Sequence, residues 1–146
     1  MRKVCVVIVS LMLTACASLL TPTPVESEYF TTLGGGFMMT LGAKPSMRYG
    51  VNLHIKKELP AHTYAVIEFE NPANKWLPYR TEGSIEEIHS TFAGRYKNVF
   101  VFNSPSLQGV KRHSHYMITL SIYSDASQQV LVTRHEQRVS SSYMGD

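Results

Sequence analysis

The chain has 146 residues, 44 % hydrophobic and 17 % charged, enough apolar material for one packed core and too little length for several domains. Fourteen Lys and Arg stand against 11 Asp and Glu, and two of the basic residues, Arg2 and Lys3, sit at the very start; without them the balance is 12 to 11. That near-neutrality removes any electrostatic reason to expect nucleic acid as a partner, and the low charge fits a β-rich exported protein.

The opening M-R-K is followed by V-C-V-V-I-V-S-L-M-L, residues 4–13, an apolar run of ten broken only by Ser10. A membrane-crossing helix takes roughly 20 such residues. A run half that long behind a basic start matches the central region of a secretory signal peptide. The next residues, Leu13-Thr14-Ala15-Cys16, resemble the lipobox of bacterial lipoprotein precursors: a branched apolar residue, a small one, Ala or Gly, then Cys. The resemblance implies diacylglyceryl transfer to the Cys16 thiol, removal of the signal peptide 1–15, and acylation of the new α-amino group, palmitate being the usual chain. Those acyl groups are the only non-protein groups expected; no cofactor is. The competing readings of Cys16 are a core thiol or a disulfide with Cys5, which would be discarded with the leader. In such lipoproteins an Asp after the Cys resembles an inner-membrane retention signal. Ala17 departs from it and implies the outer membrane, with the domain facing the periplasm.

Residues 16–29 read as the lipidated Cys and an extended tether, because Pro22 and Pro24 alternate and no helical or strand period is present. Residues 30–146 read as a single β-rich domain. In residues 29–42 the triplet Gly34 to Gly36 suggests strand, glycine turn, strand, since three successive glycines weaken any regular element. Residues 48–56 alternate Tyr49, Val51, Leu53 and Ile55 against Arg48, Asn52, His54 and Lys56; residues 63–70 turn Ala65, Ile67 and Phe69 inward. With L-P-A-H between them, the two read as an antiparallel hairpin. G-S-I-E-E-I-H-S-T-F, residues 83–92, carries Ser84 as N-cap, Glu87 as its capping-box partner and one apolar face, predicting a short helix. Residues 98–102, wholly apolar, read as a central strand. Residues 115–123 and 128–139 form a second hairpin around S-D-A-S. The fold class expected is an antiparallel β-sandwich, immunoglobulin-like or transthyretin-like, with one short helix; a small β-barrel is the alternative.

Three groups of residues invite chemistry. His113, His115 and His135 would share a strand face, and so suit a metal, only under one hairpin register. A two-residue turn at Asp125-Ala126 sets His135 opposite Tyr116 and away from the others; a three-residue loop sets it opposite Met117 and beside them. The carboxylate pairs Glu68/Glu70 and Glu86/Glu87 are the other acid/base candidates, yet they also suit a solvated strand face and the first turn of a helix. Ser-rich stretches lack a nucleophile-elbow context, and the glycine triplet matches no phosphate loop. Lastly, Trp76, Tyr79 and Arg80 in the turn-rich residues 70–80 resemble the aromatic and Arg anchors of an interface. The function expected is therefore a non-enzymatic, membrane-anchored binding or accessory module with a protein or cell-envelope partner. The alternatives are a metal-dependent or glycan-directed envelope enzyme using those histidines or carboxylates, and a ligand binder with an apolar cavity between its sheets.

Overall fold

Alternating strands bury one face each, and two sheets turned face to face satisfy both at once. The computed structural model describes residues 22–41, 43–92 and 98–142. The signal peptide expected over residues 1–15, Cys16 and Ala17 lie outside them. Among the described residues seven strands and one helix follow in order: β1 Phe30–Thr40, β2 Ser46–Ile55, β3 Tyr64–Phe69, β4 Tyr79–Ser84, α1 Ile85–Phe92, β5 Val99–Asn103, β6 His115–Tyr123 and β7 Leu131–Ser140. One antiparallel sheet runs β1-β2-β5 and the other β4-β3-β6-β7. Neither closes into a barrel.

Relabelled by letter, the sheets read A-B-E and C′-C-F-G, which is the order of an immunoglobulin-like sandwich. A second mark of that fold is present. Tyr116, next to the start of β6, accepts a hydrogen bond at its hydroxyl from the Lys111 amide (2.8 Å), the backbone contact of a tyrosine corner. Tyr49 sits at the centre of the core, fully buried, with ring contacts to Phe37 (5.3 Å), Phe69 (5.7 Å) and Tyr116 (5.9 Å). Its hydroxyl donates to the Glu70 carbonyl (2.7 Å), tying the first sheet to the end of β3. Burial, with the Glu70 charge adding to it, holds that phenol far above its ordinary range, so it stays a donor.

Several expectations are corrected. β2 and β3 are not a hairpin: β2 lies between β1 and β5, and β3 lies between β4 and β6. Side by side, their apolar faces would both need covering; in opposite sheets, Leu53 and Ile67 help cover one another's faces. The glycine triplet makes no turn. β1 passes straight through it with a bulge between Thr32 and Gly34, and Gly35 lies so close to β2 that a Cβ there would stand 2.9 Å from the Gly50 carbonyl. β5 is an edge strand, buried on one side only, rather than a central one. Tyr79 and Arg80 open a strand, β4, where a loop is expected. The helix agrees: the Ser84 hydroxyl accepts from the Glu87 amide (3.2 Å) while a Glu87 carboxylate oxygen accepts from the Ser84 amide (3.3 Å).

The second hairpin forms, with neither expected register. His135 pairs with Leu120, because residues 124–130 make a longer loop closed by the Ser124 amide on the Val130 carbonyl (2.9 Å) and by Gln128 at φ +58°. The described part of the expected tether, residues 22–29, is extended and lies against β7. The Glu136 amide donates to the Val25 carbonyl (2.7 Å), and Arg138 donates to the Pro22 carbonyl (2.8 Å). These residues are called the strap below.

Candidate functional site: the loop end of the sandwich

The β3–β4 loop, residues 70–78, is built around one buried side chain. Asn71, 7 % exposed, accepts at Oδ1 from the Ala73 amide (3.0 Å) and the Asn74 amide (3.3 Å), and donates from Nδ2 to the Leu77 carbonyl (3.0 Å). Asn74 repeats the device, with Oδ1 accepting from the Trp76 amide (3.1 Å) and its carbonyl from the Leu77 amide (3.1 Å). Asn side chains close such turns because the amide mimics a backbone group. The loop has then satisfied its polar groups internally, and its apolar side chains are left outside: Trp76 is 94 % exposed and Leu77 65 %.

The tip of the β1–β2 hairpin projects at the same end, since Phe37 and Tyr49 lie level with Phe69 and Tyr116 and the chain continues past them. It carries Met38, Met39 and Leu41, all exposed, the last 83 %. Lys44, Arg48, Lys75, Lys111 and Arg112 are the exposed cations of this end. Its one carboxylate among the described residues is Glu70, which accepts from the Met117 amide (3.1 Å) and faces Lys75 (3.8 Å). An apolar tip ringed by cations is the result.

Of the three interface candidates, only Trp76 is on this tip. Tyr79 packs against the core. Arg80 lies on the outer face of its sheet, bonded to Glu82 (2.8 Å) and to Gln128 (2.6 Å), with Glu68 at 3.8 Å. Leu77, Met38, Met39 and Leu41 were legible in W-L and F-M-M-T-L, where apolar residues run together and break the alternation.

The histidines are not gathered. His113 lies in the turn before β6 at φ +51°, His115 is exposed at the start of β6, and His135 points into the core from β7. His135 is 4 % exposed; its Nδ1 accepts from the Ser27 amide (3.2 Å), which leaves Nε2–H to donate to Thr32 Oγ1 (2.8 Å). Burial pushes this imidazole below its ordinary pKa. No group of three potential metal ligands occurs among the described residues. Three of the four carboxylates are engaged structurally, Glu68 beside Arg80, Glu70 on Met117 and Glu87 on the helix cap, while Glu86 is exposed in the first turn of α1. An open groove of about 360 Å³ lies beside α1 at the edge where the sheets part, lined by Ile67 and Phe69 of one sheet, Phe102 of the other and Ile88 of the helix.

Among the described residues no helix is long and apolar enough to cross a membrane. No family model, no curated protein and no solved structure matches the chain.

Proposed function

We propose that this chain is a lipid-anchored protein of the cell envelope, held in the outer membrane by acyl groups on Cys16, with its immunoglobulin-like domain facing the periplasm as a binding or accessory module. The observation that carries the binding role is Trp76. A tryptophan almost wholly in water, on a loop braced by six hydrogen bonds, is pre-organised for contact, and such anchors dominate interfaces. The anchoring role rests on Leu13-Thr14-Ala15-Cys16 and the short apolar run before it. Against the enzyme alternative stand the separated histidines and the three carboxylates bound into the fold.

Mass spectrometry of the mature N-terminal peptide, with fractionation of the envelope on a density gradient, tests the anchor. The expected result is a diacylated, N-acylated Cys16 in the outer-membrane band, and loss of both lipid and membrane association in Cys16→Ser. Cys16→Ser protein processed and retained like wild type would sink the reading, and an inner-membrane band would sink the location. Zinc titration that gives saturable heat abolished by His113→Ala would restore the enzyme alternative.

A further inference from the structure

The strap sets the end at which the chain enters the domain. It runs antiparallel to β7, so that followed backwards from Ser27 to Pro22 it passes from Thr133 and His135 to Arg138. Arg138 pairs with Met117, which is bonded to Glu70 at the root of the Trp76 loop. The chain therefore meets the domain at the loop end. Cys16 lies six residues before Pro22, and six residues reach at most about 20 Å. From Arg138 to Leu131 is seven residues of β7, about 23 Å of strand, so that reach falls short of the far end even when the chain doubles back.

The charges divide the same way. The loop end carries the five exposed cations named above. Around the far end, among the described residues, stand Glu26, Glu28, Glu58, Glu86 and Asp125 against Lys56 and Lys57, the latter paired to Glu28 (3.2 Å), so acidic groups outnumber basic ones there. A bilayer surface rich in anionic headgroups attracts the first end and repels the second. Trp is moreover the residue whose ring suits the headgroup level, with apolar neighbours reaching just below it.

We infer that the loop end lies against the membrane that holds Cys16, with Trp76, Leu77 and Leu41 seated among the headgroups and Lys44, Lys75 and Lys111 on anionic lipid. The inference rests on the lipid-anchor reading above and assigns the Trp76 contact to lipid in place of a protein partner, which would then meet the domain elsewhere. It makes the domain a module held upright on its membrane, with the acidic end, α1 and the groove beside it turned away toward the aqueous space.

Trp76 is the only tryptophan in the chain, so its fluorescence reports on this loop alone. The test uses the full lipidated protein in vesicles of phosphatidylethanolamine with phosphatidylglycerol, acyl chains brominated near the headgroup. Flotation with the vesicles reads the anchor; bromine quenching of Trp76 and protection from aqueous iodide read the contact. The expected result is flotation with strong quenching and several-fold lower iodide access than for the protein freed of its lipidated peptide by proteolysis within residues 17–21. Leu41→Asp with Leu77→Asp, both at exposed positions, is expected to float equally and lose the quenching. So, in part, is wild type in vesicles lacking phosphatidylglycerol. Flotation without quenching overturns the inference and leaves the anchor standing; no flotation overturns the anchor first. Protection of Trp76 in native envelopes but not in the vesicles overturns it in favour of a protein partner.

Discussion

The two ends of the sandwich solve the same problem, closing strands in water, by opposite allocations. At the loop end, Asn71 and Asn74 take the backbone polar groups inward and the apolar side chains of Trp76, Leu77 and Leu41 stay outside. At the far end Leu59, Ile85 and Ile88 pack onto the core, while Glu58, Glu86 and Glu87 face water. Apolar exposure is heaviest at the loop end, although Val130 and Leu131 are also exposed at the far end and Leu33 and Val25 between the two. Its extreme, Trp76, stands where hydrogen bonding has made a loop rigid enough to keep a tryptophan from folding back, which is the arrangement a contact surface requires.

The comparison is broken most directly by removing the amide that builds the loop. Asn71→Ala leaves the Ala73 and Leu77 groups without the partner they have in a part-buried site, and should destabilise the domain by about 2–3 kcal/mol. Chemical denaturation measures the loss. A broader environment for Trp76, seen as faster quenching by iodide, should accompany it. Unchanged stability would mean that the loop holds its shape without Asn71.

Gly109 tests the same end from behind. It sits at φ +73°, and a Cβ there would stand 3.3 Å from the Ala73 Cα. Gly109→Ala therefore combines left-handed strain with pressure on the loop, expected at about 1–2 kcal/mol. Gly34→Ala, where a Cβ meets nothing within 4 Å, is the control and should be nearly neutral.

What was legible in the sequence follows the range of the interactions. The faces of β2 and β3, and the Ser84/Glu87 cap, depend on residues two to four apart and read correctly. Partner choice does not. Nothing in residues 48–56 and 63–70 says that their strands belong to different sheets, because the reason lies in the mutual cover of their apolar faces. β4, short and polar in Y-R-T-E-G-S, takes its conformation from pairing with β3, and the loop of residues 124–130 sets a register no count of turn residues supplies. Within the loop end, Trp76 drew notice for its type, but its exposure follows from the Asn71 bonds. The companions Met38, Met39 and Leu41 come from a hairpin tip 35 to 38 residues earlier in the sequence.

At the far end the effects should be smaller and local. Ser84→Ala removes the acceptor for the Glu87 amide at the start of α1, worth about 1 kcal/mol. It should leave Trp76 fluorescence untouched, so that a change there would show the two ends to be coupled.

The subtlest expected effect is on the strap that joins the ends. His135 binds the Ser27 amide through a neutral Nδ1, and burial lowers its pKa below the ordinary value near 6.5, Lys56 helping and the nearby Glu26 and Glu136 opposing. A released strap lets the ring take up a proton that the docked ring refuses. The undocked state therefore binds more protons once the pH falls below about 6.5, and docking weakens with acidification while staying constant above that value. Amide exchange at Val25, Ser27 and Tyr29, corrected for its intrinsic pH dependence, should accelerate about a pH unit below the ordinary histidine pKa relative to a unit above it. In His135→Gln, which carries no titrating ring, exchange there should be faster at both pH values and show no such step. Equal protection of the wild-type strap on both sides would mean that His135 stays neutral throughout. The strap would then be an acid-insensitive part of the sandwich, and the domain's orientation would not change with pH.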